Sequence, residues 1–79
     1  MKQLTVYHRE GCGLCEHMLA ELFALQSRYT FTLDVVDIDE DPDLRERYNT
    51  KVPVLAVDGD ILCCHFLDRE ALLDLLGPA

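Results

Sequence analysis

The sequence predicts an α/β domain with the element order β-α-β-α-β-β-α, a four-stranded mixed sheet carrying three helices. Three observations lead there. Strand-like runs alternate with a helix-like apolar stripe along the chain. An Asp58-Gly59 pair separates two β-prone runs, which is a hairpin signal. The length, 79 residues, suits one core and one domain, read as residues 1–79.

The elements follow in order. Leu4, Val6 and Tyr7 mark a first strand over about residues 2–7. The polar run His8-Arg9-Glu10-Gly11 is a loop. Leu14, Met18, Leu22 and Leu25 then fall on one helical stripe, with Leu19 and Phe23 beside it, predicting an amphipathic helix over about 13–28. Phe31 to Ile38 returns to β-branched and aromatic residues, a second strand. Asp41 is a good N-cap and Pro42 a good first helical residue, so a short helix should reach Tyr48 and bury Leu44 and Tyr48. Val52 to Val57 reads as a third strand and Ile61 to Cys64 as its hairpin partner. Asp68 can cap a last helix that buries Leu72, Leu75 and Leu76 and ends at Gly77-Pro78. A helix between the first two strands implies that they run parallel.

Composition narrows the function classes. The chain is 49% hydrophobic, too apolar for a disordered tail. Fifteen acids against seven bases give a net charge of −8, which argues against nucleic acid and anionic membrane surfaces as partners. No apolar run is long enough to span a membrane, and the first residues do not resemble a signal segment. A cytoplasmic monomer is therefore expected. In that compartment paired cysteines point to redox chemistry or metal more than to structural disulfides.

Cys12 and Cys15 sit at i and i+3 where the first strand turns into the first helix. Free N–H groups and the helix dipole at that position stabilise a thiolate, which is the nucleophile of disulfide exchange. Cys12 is the candidate nucleophile. Cys15, one turn on, is the candidate resolver, and Gly13 is read as permitting a tight turn. The same spacing also fits half of a zinc site or two structural thiols.

In these residues the sequence resembles the glutaredoxin branch of the thioredoxin superfamily, and more narrowly its small bacterial glutaredoxin-like proteins. The resemblance is carried by Val6-Tyr7, Arg9, Gly11-Cys12-Gly13-Leu14-Cys15, Thr50-Lys51-Val52-Pro53-Val54-Leu55 and the Asp58-Gly59 hairpin, and it spans essentially the whole chain. It implies the minimal thioredoxin fold and a cis Val52–Pro53 bond packed against Cys12. It also implies a substrate chain lying along the Val52-Pro53 edge, with Arg9, Gly11, Gly13, Leu14 and Cys64 in the binding surface. Arg9 would meet a carboxylate of glutathione, a candidate reductant or co-substrate. The chain departs from the family where a Gly-Gly-x-Asp segment would receive the other end of glutathione, reading Cys63-Cys64-His65-Phe66 instead. The charge of −8 also repels an anionic tripeptide unless Arg9, Arg45, Arg47 or Lys51 offsets it locally.

Cys63 and Cys64 are adjacent on a strand and should face opposite sides of the sheet. They read as small apolar fillers, with His65 on the surface. A sharper alternative joins one of them and His65 to Cys12 and Cys15 as a metal ligand set. Asp34, Asp37, Asp39, Glu40, Asp41 and Asp43 form an acidic run with no base nearby in sequence, read as a solvated loop. Pro42 and Tyr48 spoil a calcium-loop reading. His8 is a polar loop residue that could tune Cys12, whereas Glu10 and Glu16 oppose its ionisation.

The function expected is thiol–disulfide exchange on protein or glutathione-mixed disulfides, with no resident cofactor or metal. The alternative is a metal-binding or adaptor module using Cys12 and Cys15 as ligands.

Overall fold

The computed structural model describes residues 2–77. Its elements are β1 (Lys2–His8), α1 (Gly13–Leu25), β2 (Phe31–Asp37), a 3-10 turn (Ile38–Glu40), α2 (Pro42–Tyr48), β3 (Val54–Val57), β4 (Asp60–Cys64) and α3 (Arg69–Leu76). The strand order is β2-β1-β3-β4. β1 and β2 are parallel, and the β1–β3 and β3–β4 pairs are antiparallel. This is the mixed four-stranded sheet with three helices that the sequence predicts.

β1 is an inner strand paired on both edges, and side chains cover both of its faces. Leu4 and Val6 point into the larger core with Met18, Leu22 and Leu25 of α1, Leu55 and Val57 of β3, and Leu72 of α3. Tyr7 packs on the opposite face with Ile38, Tyr48 and Val54. The Tyr7 and Tyr48 rings lie 4.8 Å apart, tilted by 32°. α1 and α3 therefore cover one face of the sheet and α2 the other.

The buried stripe of α1 is Cys15, Met18, Leu22 and Leu25, not the expected stripe beginning at Leu14. Leu14 is 40% exposed and Phe23 is also exposed. Neighbouring helical residues point about 100° apart, so a stripe that includes Cys15 turns Leu14 outward. The helix also stops at Leu25 rather than 28. The Ser27 hydroxyl donates to the Ala24 carbonyl at 2.8 Å, and the Arg28 N–H turns to the Leu25 carbonyl at 3.0 Å. Such local bonds compete with the helical ladder.

β2 ends at Asp37, one residue early, because Ile38 opens the 3-10 turn. The Asp37 carboxylate accepts the Asp39 N–H at 2.9 Å and caps that turn. Asp41 caps α2 in the same way, through the Asp43 N–H. Tyr48 is buried and Leu44 half-buried. β3 begins at Val54 rather than Val52, since Pro53 has no N–H for the ladder. The Val52–Pro53 peptide bond is cis. Asp58 (φ 51) and Gly59 (φ 91) are both left-handed, as a type I′ hairpin requires. In α3, Leu72 is fully buried and Leu73 and Leu76 pack beside it, whereas Leu75 is 43% exposed, against the expected pattern. Gly77 closes α3 at φ 79; Pro78 lies outside the described residues.

Leu22→Ala should remove about 2–5 kcal/mol of stability and Leu75→Ala no more than about 0.5. Urea unfolding of the two variants checks this, and equal losses would contradict the assignment of the core. The hairpin yields a pH prediction. The Asp58 carboxylate accepts the Gln3 N–H at 2.9 Å and lies 3.5 Å from the Lys2 ammonium. The Gln3 bond, with help from Lys2, holds its pKa below the ordinary 3.8. A group depressed on folding stabilises the fold above its unfolded pKa and loses that effect as pH falls through the folded value. Asp58→Asn should therefore lower Tm at pH 7, and the gap should close below pH 3.8. An equal gap at both extremes would refute the assignment.

Candidate active site

The site is built where β1 leaves the sheet. After His8 the chain turns through Arg9, Glu10 and Gly11, and Gly11 has φ 76, a conformation that disfavours side chains. The close turn thus rests on Gly11 and not on Gly13, whose backbone is not left-handed and which has no neighbour within 4 Å of an added Cβ. Cys12 is the N-cap of α1, with extended backbone at φ −92, ψ 106. Its carbonyl accepts the Glu16 N–H at 3.1 Å, and its Sγ accepts the Cys15 N–H at 3.1 Å.

Cys12 and Cys15 are joined as a disulfide, with Cα atoms 5.2 Å apart. Their exposure differs. Cys12 is half-buried, whereas Cys15 is 1% exposed and belongs to the core-facing stripe of α1. The Cys15 N–H and the positive end of α1 lie beside the Cys12 sulfur, a setting that in general favours a thiolate.

A cleft of about 390 Å³ opens beside the disulfide, lined by Arg9, Glu10, Gly11, Cys15, Glu16 and Leu19, together with His8. Arg9 is not free in it. Its Nε and Nη2 each donate to an Asp39 carboxylate oxygen at 3.0 Å, a two-pronged pair, and Nη1 reaches the Asn49 carbonyl at 3.5 Å. The acidic run therefore does have a base beside it, supplied from thirty residues away. Sequence distance hid that pair.

The other expected site residues gather at the same end of the sheet. Val54 lies opposite Tyr7, so Pro53 falls beside the end of β1 from which the Cys12 loop departs. Cys64 lies opposite Val54 and packs with Ile38, Tyr48 and Val54. The Pro53 carbonyl accepts the His65 N–H at 2.7 Å, and His65 Nε2 lies 2.9 Å from the Thr50 carbonyl. His65 has φ 68, unusual for a residue with a side chain. It joins the exit of β4 to the segment leading into Val52, a role no sequence signal announces. Leu14 stands exposed on the first turn of α1.

Cys63 and Cys64 do face opposite sides. Cys63 packs against the α1–α3 core and Cys64 against the α2 side. Burial raises the Cys63 thiol pKa, only partly offset by the Asp68 N–H. The ligand set of Cys12, Cys15, His65 and a second cysteine is not formed. Among the described residues, no three His, Cys, Asp or Glu side chains gather to hold one ion. Among them, too, no helix is long and apolar enough to cross a membrane.

Residues 3–77 match the model of the glutaredoxin-like domain (DUF836). The structure is similar to the solution structure of protein Ne2328 from Nitrosomonas europaea, at 42% identity, 96% of this chain, 92% of that one and a TM-score of 0.86. The oxidized mitochondrial thioredoxin 3 of Saccharomyces cerevisiae superposes at a TM-score of 0.65 over 95% of this chain and 76% of that one, a likeness of fold at 22% identity. An uncharacterized protein of Mycobacterium tuberculosis is 29% identical over 62 residues, 72% of this chain. The chain spans 64% of the length of that curated relative.

The raised pKa of Cys63 sets it apart from Cys12 in reactivity. In reduced protein at pH 7.5, iodoacetamide should modify Cys12 first, and Cys63 roughly tenfold or more slowly than in urea. Mass spectrometry of the digested protein checks the order, and Cys63 reacting as fast folded as unfolded would contradict it.

Proposed function

The chain belongs to the glutaredoxin-like domain family, and from that premise we propose that it is a thiol–disulfide oxidoreductase working through Cys12 and Cys15. The observation that carries the reading is the bonded pair at the N-cap of α1, with one sulfur accessible and the other in the core. The reaction starts from the reduced dithiol. The Cys12 thiolate attacks one sulfur of a substrate disulfide. A Cys12–substrate bond forms, the substrate S–S bond breaks, and the departing thiolate takes a proton from water. Cys15 then loses its proton and attacks the Cys12 sulfur. The mixed disulfide breaks, the second substrate thiolate leaves, and the Cys12–Cys15 bond is formed. Two electrons pass from the dithiol to the substrate.

The Cys15 sulfur needs no large movement for the second step, because it sits one helical turn from Cys12 and already reaches that sulfur in the bonded form. A substrate segment would lie along Val52-Pro53, with Leu14 and Cys64 at its margins and Gly11 and Gly13 leaving the approach to Cys12 open. Substrates are disulfides of proteins or peptides, and a second dithiol or glutathione restores the reduced state. The setting is the cytoplasm, where a reducing pool keeps such a dithiol supplied.

The test is a single turnover of pre-reduced protein on a peptide disulfide. Wild type should release peptide thiols and return to the bonded form. Cys12→Ser should lose the reaction, by a factor of about a thousand or more, and Cys15→Ser should accumulate a covalent peptide adduct visible by mass. Retention of the wild-type rate by Cys12→Ser would overturn the proposal.

A further inference from the structure

We infer that Asp39 is a specificity-determining residue of the cleft, and that the disulfides this chain takes are carried by cationic peptide segments in preference to anionic ones. The inference rests on the oxidoreductase reading above and names its substrate class. Among the described residues, Arg9 is the one permanently cationic side chain lining the cleft that opens on Cys15. Asp39 engages it with both carboxylate oxygens at 3.0 Å, the geometry that an incoming carboxylate would need. Asp39 is held in place independently of Arg9. Its N–H is bonded to the Asp37 carboxylate at 2.9 Å in the short turn after β2. A substrate carboxylate must therefore displace a pre-positioned partner to make the same pair of bonds, and gains nothing net by the exchange.

With Arg9 neutralised, Glu10 and Glu16 set the sign of the cleft. One precedes Gly11 and the other follows Cys15, and neither makes an ion pair among the described residues. Summed over Arg9, Asp39, Glu10 and Glu16, the charge at the cleft that opens on Cys15 is −2. The net charge of the chain, −8, has the same sign. Arg47 is turned toward the Tyr48 ring, 5.9 Å from its centroid, and neither it nor Lys51 lines the cleft. A lysine or arginine next to the substrate disulfide is thus attracted where a carboxylate is repelled.

The experiment uses pre-reduced protein in single turnovers at pH 8. The substrates are peptide disulfides identical but for a flanking Lys, Gln or Glu, with glutathione disulfide as a fourth. Wild type should favour the Lys peptide over the Glu peptide by about tenfold at low ionic strength, narrowing to under about threefold in about 0.5 M salt. Asp39→Asn should raise the rates on the Glu peptide and on glutathione disulfide roughly fivefold or more, relative to the Gln peptide. Glu16→Gln, away from the turn that holds Asp39, should reduce the Lys preference by about threefold. Equal wild-type rates on the Lys and Glu peptides would overturn the inference and leave the oxidoreductase reading standing. So would an anion-to-neutral ratio unmoved by Asp39→Asn. Reaction with none of the four disulfides would overturn that reading, and this inference with it.

Discussion

The reactive end of the molecule depends on how α1 is seated against β1. Cys15 serves two ends there. It is the first member of the buried stripe that continues through Met18, Leu22 and Leu25, and it is one half of the disulfide. The stripe packs on Leu4 and Val6, which belong to an inner strand covered on both faces. A strand held by two neighbours and two layers of side chains cannot shift its end without disturbing the whole core. Cys12 inherits that rigidity. Three residues before Cys15, it falls at the helix cap, where the backbone is extended and the Cys15 N–H donates to its sulfur. Core packing thereby fixes the geometry that the chemistry needs.

The other wall of the site depends on an irregularity in the hairpin. Asp58-Gly59 fixes where the chain reverses, but the pairing slips between Leu55 and Ala56, so that Ile61 faces Ala56 and Cys63 faces Leu55. Leu62 is the extra residue. A regular ladder would instead pair Leu55 with Leu62 and exchange the faces of the residues that follow. The bulge therefore decides that Cys63 joins the α1–α3 core and Cys64 the α2 side. It also sets the departure of the strand, where left-handed His65 bonds back to Pro53 and Thr50.

What could be read from the sequence was what local chemistry decides. The Asp41-Pro42 cap, the Asp58-Gly59 reversal and the Asp68 cap all act within a few residues, and each falls where it was expected. The placement of Cys12 and Cys15 was legible for the same reason, since a strand end and a helix start are both local signals. Leu14 against Cys15 was not. Both are apolar, and only the angle at which α1 meets the sheet chooses between them. The Ser27 bond that ends α1 early is local but weak, and periodicity alone overran it. The Arg9–Asp39 pair was invisible in another way. Its members stand thirty residues apart, and the parallel crossover from β1 to β2 brings them together.

That pair also changes what the acidity of the chain means. A net charge taken over the whole surface acts weakly at any one point, because salt screens exposed charges beyond about 8 Å. What a ligand in the cleft meets is the handful of groups around it. Arg9 alone would leave one negative charge in excess, whereas Asp39 cancels it and leaves both Glu10 and Glu16. The cleft therefore takes its sign from one ion pair and two glutamates, not from the charge of the chain as a whole. On the inference drawn above, a cationic substrate flank would be drawn to those two glutamates. The exposed Leu14 on the first turn of α1 would add an apolar contact that salt does not screen.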